Sequence, residues 1–346
     1  MATLPYPQDR DTFKVAIICA IPLEAEMVQH VFELNWADYN VHFSQAPGDL
    51  NTYSIGVISG HNVVLVQMPG MGLIHAATVA GYLSLSFHNI EVALLVGICG
   101  VVPRHLETQE EIVLGDCVIS TSMVQYDLGH QLPGCFVRRS TERDSSGAAN
   151  PATPDFIARL QAVSNLRHFL ENILHNLKIL ERATPKAVYP GTHKDRLYDA
   201  SYVHTHHGTM PCDRCIPQAG VCTKSCDSLG CQGRLIPRQR LTDQDASKHI
   251  PMIHFGRYGS ANTVLKSGAH RDQFAKKDRI IAFEMEGAGL WNDLPTIIIK
   301  SACDYADSHK SKEWQPYAAV TAAAVLKAFL DDWPIREQSS EQDCDF

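Results

Sequence analysis

The sequence predicts an α/β protein, a three-layer sandwich with helices on both faces of a mixed central sheet. Three observations predict it. Continuous apolar runs of strand length recur at 13–20, 63–68, 91–102 and 296–301, as in strands buried on both faces. Patterns of helical period follow most of these runs. An acidic residue, Asp304, stands just past the last of them, where open α/β sheets bind ligands.

Composition sets the limits. The chain has 346 residues, 45% apolar and 20% charged, enough for one large domain with a substantial core. Formal net charge is -8 with no long basic run, which argues against nucleic acid as a partner. The polar start MATLPYPQDRDT does not read as a signal peptide, and the run 92–102 is too short to span a bilayer. These features lead to the expectation of a cytoplasmic protein without a membrane partner. Of 11 cysteines, Cys19, Cys99, Cys117 and Cys303 fall in or beside apolar runs, as small buried hydrophobes.

In chain order, the first strand (13–20) is followed by Pro22 at the first turn of a helix. Leu23, Met27 and Val31 give that helix its core stripe. Glu24 and Glu26 lie in its first turn, where a carboxylate complements the helix dipole. After the strand at 63–68, P-G-M-G leads into a helix rich in small residues. Gly70 and Gly72 serve either close packing or an anion-binding turn. The segment 91–102 (EVALLVGICGVV) reads as a strand and a glycine elbow. Gly115 and Asp116 read as a structural turn before a strand at 117–125. Residues 143–154 form a Gly/Pro/Ser/Asn-rich loop, and 155–180 one long helix with Phe156, Leu160, Val163 and Leu174 among its apolar positions. A strand is expected at 250–255, with a turn from Tyr258 to Val264. Glu284, Met285 and Glu286 open a short helical stretch that Pro295 ends. Pro316 opens an Ala-rich last helix with Tyr317, Val325 and Phe329, and residues 332–346 read as an acidic, disordered tail.

Two stretches carry a resemblance. E-M-E-G-A at 284–288, followed by the apolar strand and S-A-C-D-Y-A-D at 301–307, resembles the purine nucleoside phosphorylase/nucleosidase superfamily. It is similar to bacterial methylthioadenosine/S-adenosylhomocysteine nucleosidases. It is closer still to fungal nucleoside-phosphorylase-like domains found ahead of NACHT or ankyrin modules. C-D-Y-A-D-S-H-K at 303–310 and W-Q-P-Y-A-A-V-T-A-A-A at 314–324 match the fungal group. The resemblance covers residues 12–331 as one domain, with an insertion at 204–240. It implies a nucleoside phosphorylase-like fold around a partly barrel-like sheet, and a homo-oligomer, dimer or larger.

The resemblance also implies a chemistry. Asp304 would be the acid that protonates a purine leaving group, with burial favouring its protonated form. Glu24, four residues after Ala20, would activate water. Glu286 would accept from the ribose hydroxyls and Met285 would pack on the sugar. Gly97 and Ile98 would bring backbone N–H groups near the ribose or the attacking group. Asn262 would stand at the base pocket. Lys300 replaces an arginine of the bacterial enzymes and is left without a role. Phosphorylase relatives hold phosphate with an arginine and a serine where this chain has Leu95 and Ile98, and some place an arginine where Glu24 stands. A phosphate there would lose charge-assisted hydrogen bonds. The expected function is therefore a purine nucleosidase that releases base and ribose with no cofactor required for catalysis. The alternatives are a phosphorylase and a nucleoside-sensing or oligomerising module.

Between Tyr202 and Leu241 the chain loses periodicity. Cys212, Cys215, Cys222 and Cys226 have spacings that admit a structural zinc. A flexible loop with reduced thiols is the alternative.

Overall fold

The computed structural model describes residues 6–139, 152–206, 215–216, 221–231, 233, 235–242 and 250–335. β1 (Val15–Cys19) leads into α1 (Pro22–Gln29), then β2 (Leu34–Asn35), β3 (Tyr53–Ile58) and β4 (His61–Gln67). α2 (Leu73–Ser86), β5 (Val92–Val101), β6 (Cys117–Gln125) and the hairpin β7 (Gly129–Leu132) and β8 (Cys135–Arg138) follow. Next come α3 (Ala152–Leu160), α4 (Val163–Ala183), β9 (Cys215–Ile216), β10 (Val221–Cys222), α5 (Cys226–Leu229) and α6 (Gln239–Thr242). β11 (Ile253–Ser260), α7 (Gly268–Asp278), β12 (Ile280–Glu284), α8 (Gly287–Leu290), β13 (Thr296–Asp304) and α9 (Gln315–Asp332) complete the order.

Nine strands form one mixed sheet in the order β12-β11-β6-β13-β5-β1-β4-β3-β2. β12 also pairs with β5, antiparallel, at Phe283 and Gly100. That pairing closes β5, β13, β6, β11 and β12 into a ring, so one half of the sheet is a small barrel and the other an open wing. The partly barrel-like sheet expected from the resemblance is present. β1 and β13 are buried almost along their whole lengths, which is why their sequences run apolar instead of alternating.

Helices flank the sheet. α9 lies against β5 and β13, and α1 and α4 pack on it. It is buried at 13 positions, six of them alanine; a helix apolar all round is a core helix, and small side chains let the strands come close. α2 and α8 pack on each other, with α8 against β6 and β13.

Several elements differ from expectation. The helix expected at 155–180 is two helices, broken at Gln161 and at Ala162, whose ψ is 134°. The break keeps Phe156 against Phe329 and Trp333 while α4 turns onto α9. Val163, expected as an apolar contact, is 78% exposed. Of the loop expected at 143–154, residues 143–151 lie outside the described residues and 152–154 belong to α3. β5 runs straight through both glycines without an elbow. β11 starts at Ile253 and runs to Ser260, so Tyr258–Ser260 are strand; the Tyr258 hydroxyl, donated to Val118 O at 2.8 Å, fixes it there. Glu284 ends β12 instead of opening a helix. Trp333 is buried, so the packed chain continues past the expected tail boundary at 332, and residues 336–346 lie outside the described residues.

Asp116 is structural, as expected, but far more than a turn residue. It is fully buried and accepts from both Arg240 guanidinium nitrogens, from His254 Nε2 at 3.0 Å and from the N–H groups of Val113 and Met252. Burial alone would raise its pKa; the His254 and Arg240 partners outweigh that and hold it well below the carboxylate range. Nearby, Arg238 donates to Tyr305 Oη and to the carbonyls of Pro103 and Ile112. The exit arm of the insertion is thus anchored in the domain.

Candidate active site

A cavity of about 330 Å³ opens at the ends of β1, β12 and β13 and the carboxyl-terminal part of β5. Its size suits one small ligand. Glu24, Ile98, Met285, Glu286, Lys300 and Asp304 are among its lining residues. The structure therefore brings together six residues taken from chain segments almost 300 positions apart.

Glu24 enters from the first turn of α1. Pro22 starts that helix, and the extended Ile21 before it leaves N–H groups without helical partners. Glu24 Oε2 accepts from Ala20 N at 2.8 Å and Ile21 N at 3.1 Å; Oε1 accepts from Ile98 N at 2.8 Å. A carboxylate has roughly four acceptor positions, so one on Oε1 remains. Burial raises the Glu24 pKa, only partly opposed by the Lys300 ammonium and the Ile98 N–H.

Gly97 is what admits this carboxylate. A Cβ at Gly97 would overlap Glu24 Oε1, an impossible contact. Gly97 itself is not among the lining residues, and the Ile98 N–H is spent on Glu24. Their expected role, presenting N–H groups to a ligand, is replaced by positioning Glu24, while Ile98 and Gly100 face the cavity. Gly97→Ala should displace the Glu24 carboxylate and lower kcat about 100-fold, the scale of an ångström-sized misplacement. Steady-state kinetics beside a circular dichroism spectrum check it; unchanged kcat would remove Glu24's seat from the mechanism.

Lys300 is the residue that sequence reasoning left without a role. It is 1% exposed in the middle of β13. Nζ donates to Glu286 Oε2 at 2.7 Å and lies 3.7 Å from Glu284 Oε2. Burial alone would pull its pKa down; the charges of Glu286, Glu284 and Glu24 push it up instead. In return Lys300 outweighs burial at Glu286 and lowers that carboxyl's pKa, whereas Glu284 stays raised by burial. Glu286 Oε1 also accepts from Gly72 N at 3.3 Å, which gives the Gly-rich turn before α2 a binding partner within the site. A lysine inside an apolar strand was the available signal, because buried ammonium groups need anionic partners.

Asp304 ends β13 and lines the same cavity. Its side chain is 12% exposed and paired with Lys310, Nζ to Oδ1 at 3.0 Å. Oδ1 also accepts from Ala306 N at 2.8 Å, and Oδ2 has a thiol contact with Cys303 at 3.5 Å. It is thus a carboxylate with an ammonium beside it, not one buried among apolar groups. Burial alone would lower the Lys310 pKa; Asp304 raises it.

Asn262 is placed differently. Its side-chain oxygen accepts from Leu73 N at 2.9 Å, capping α2, and its own N–H donates to Asp127. It is exposed and not among the lining residues; Thr263, Val264, Leu265 and Lys266 line the cavity instead. Of the cysteines expected to hold a metal, Cys212 and the side chain of Cys215 lie outside the described residues. Cys222 and Cys226 are described, and Cys226 stands beside His204 and Cys231.

The sequence profile of the phosphorylase superfamily matches residues 14–188. The chain belongs to that superfamily. A nucleotide-binding leucine-rich repeat (NLR)-like protein of the fungus Hyaloscypha variabilis is 29% identical over 326 residues, or 92% of this chain. The chain spans only about 29% of that relative's length. Among solved structures, the 5'-methylthioadenosine/S-adenosylhomocysteine nucleosidase of Neisseria meningitidis, in complex with methylthio-immucillin-A, aligns with a TM-score of 0.54 at 14% identity. It covers 92% of this chain and 99% of that one. The corresponding enzyme of Streptococcus pneumoniae, bound to 8-aminoadenine, gives 0.53 at 17% identity over 93% and 100%. Futalosine hydrolase of Helicobacter pylori gives 0.51 at 14% identity over 93% and 99%. These likenesses establish the nucleoside phosphorylase/nucleosidase fold. Among the described residues no helix is long and apolar enough to cross a membrane.

Proposed function

We propose that this superfamily member is a purine nucleosidase, cleaving the N-glycosidic bond of a purine ribonucleoside with water in the cytoplasm as a homo-oligomer. The observation that carries the reading is the seat of Glu24. A buried carboxylate with a raised pKa and one open acceptor position is suited to take a proton from water. Beside it stands apolar Ile98, and Leu95 is in the core. Lys300, the ammonium that opposes burial in setting the Glu24 pKa, is already held by Glu286. A phosphate dianion at this end would meet a carboxylate and an apolar side chain.

Cleavage places positive charge on the sugar and negative charge on the leaving base. The division of labour parallels that of two-carboxylate glycosidases. Asp304, after taking up a proton from solvent, passes it to the leaving base, and Lys310 pairs with the carboxylate that this regenerates. Glu286, kept ionised by Lys300, accepts from the ribose hydroxyls, and Met285 covers the sugar. No cofactor enters these steps.

The test is a panel of adenosine, inosine and guanosine, with and without phosphate, resolved by chromatography. Free base and ribose should appear in phosphate-free buffer. Ribose 1-phosphate that forms only when phosphate is added would make the enzyme a phosphorylase. A sensing module is the second reading, favoured by the kinship with an NLR-like protein; it would bind nucleoside with no turnover in either buffer.

A further inference from the structure

We propose that His204, Cys226, Cys231 and His309 form a structural zinc site that pins the cysteine-rich insertion to the segment carrying Asp304. Among the described residues, His204, Cys231 and His309 can each place a donor atom within 4.8 Å of the other two. Cys231 Sγ lies 3.3 Å and Cys226 Sγ 3.5 Å from His204 Nδ1. Donors of a tetrahedral zinc site stand roughly 3.4–3.8 Å apart, given metal–ligand bonds of about 2.0–2.3 Å. Cys226 stands outside that group of three and joins as the fourth donor through its contact with His204, by rotation of its own side chain.

Local structure orients each donor. Ser225 caps α5, Gly230 ends it at a φ of 60°, and Cys231 N donates to Cys226 O at 3.1 Å. This tight turn brings both thiols to His204. His204 is 4% exposed, and its Nε2 meets the carbonyl of Lys224 at 2.7 Å. A carbonyl only accepts, so Nε2 carries the proton and Nδ1 presents a lone pair to the sulfurs. Such a backbone partner on the far nitrogen is how metal-bound histidines are held.

His309 supplies the independent observation. It is 8% exposed, yet neither ring nitrogen has a hydrogen-bond partner. Its ring is clamped against Tyr198, with centroids 4.1 Å apart, and lies parallel to Tyr202 at 5.2 Å. Asp307 Oδ1 is 3.9 Å from Nδ1, beyond hydrogen-bond reach. Two unpartnered nitrogens in a buried imidazole are costly, and a metal bond would satisfy one of them.

The donor chemistry selects the ion. Two thiolates and two imidazoles suit zinc and disfavour magnesium or calcium. Two thiolates also cancel the dication, so a largely buried site ends neutral. Binding releases the two thiol protons to solvent. The set differs from the one expected from cysteine spacing: it shares only Cys226, and half of it is histidine. The position has a consequence for the active site. His309 lies five residues after Asp304, and the His204 N–H donates to Ser308 Oγ at 2.9 Å. Asp304 and Lys310 also border a second cavity of about 280 Å³, shared with Cys226 and the insertion. The metal would hold the wall between the two cavities.

The experiment is elemental analysis of the full chain, purified without a metal-affinity tag or chelator. About one zinc per chain is expected. It should fall below about one tenth per chain in Cys231→Ala and in His309→Ala, and persist in the double variant Cys212→Ser/Cys215→Ser. Cobalt exchanged into the wild-type chain should show thiolate-to-cobalt charge-transfer absorption and tetrahedral d–d bands, which keeps the test sound should a variant fail to fold. Wild-type protein without zinc and without these bands overturns the proposal. So does zinc that survives His309→Ala but is lost with Cys212 and Cys215.

Discussion

Asp304→Asn should lower kcat about two to four orders of magnitude while leaving KM nearly unchanged, the usual cost of losing a general acid. A purine anion is a poor leaving group at neutral pH, so the proton must arrive as the bond breaks. Asparagine keeps the acceptor for Ala306 N but has no acidic proton, and it removes the charge that Lys310 pairs with. Leaving-group dependence separates the acid role from simple disturbance. The defect should shrink strongly for a riboside whose leaving group needs no proton, such as a nitrophenyl riboside. Asp307 is the internal control. It is 6% exposed and its carboxylate accepts from His309 N at 2.8 Å, a bond that Asp307→Asn can retain. A normal kcat in Asp304→Asn beside a collapsed one in Asp307→Asn would shift the assignment by one turn of the loop. Equal defects on both kinds of leaving group would remove proton donation from the role of Asp304.

Lys300→Met should destabilise the fold by about 3–5 kcal/mol at neutral pH, because it strips the counter-charge from buried carboxylates. Methionine fills most of the volume, so the loss is electrostatic. The pH dependence follows from the signs. The Lys300 pKa is raised above the ordinary lysine value of 10.5, so its contribution is fully present below about that pH and is lost only as pH rises further. The Glu286 pKa is lowered from 4.5 chiefly by Lys300 acting against burial; its contribution is present above 4.5 and lost as pH falls. Without Lys300, burial raises all three carboxyl groups, Glu24, Glu284 and Glu286, and each ionises at a cost as pH climbs past 4.5. The deficit relative to wild type should therefore be largest near neutrality and shrink toward pH 4–5. Urea unfolding at several pH values measures it. A deficit independent of pH would mean that packing, not charge, is what Lys300 contributes.

The sequence by itself determined the superfamily, six of the nine strands of the main sheet and most of the residues that line the candidate site; β2, β3 and β12 were not read from it. Runs such as 13–20 and 296–301 are buried on both faces, and burial on both faces is written in composition without any need for coordinates. Pro22 and Pro316 mark helix starts because a fixed φ and a missing N–H suit only a first turn. Glu24, Glu286, Met285 and Asp304 were legible because their motifs, E-M-E-G-A, S-A-C-D-Y-A-D and the carboxylate four residues after Ala20, resemble those of the superfamily.

Tertiary structure decided the rest. Ring closure depends on β12 meeting β5, a pairing between segments about 180 residues apart that no local pattern encodes. The role of Gly97 is set by a carboxylate that arrives from 73 residues earlier. Asn262 reads as a pocket residue in the chain but is used to cap α2, since the helix end reaches it first. The partners of Lys300 come from the end of β12, the segment after it and α1, so its role appears only once they converge. Cysteine spacing groups Cys212 with Cys215, whereas folding sets Cys226 and Cys231 against His204 and His309. Ligand sets are chosen by proximity in space, and sequence distance reports that only when every donor lies on one turn.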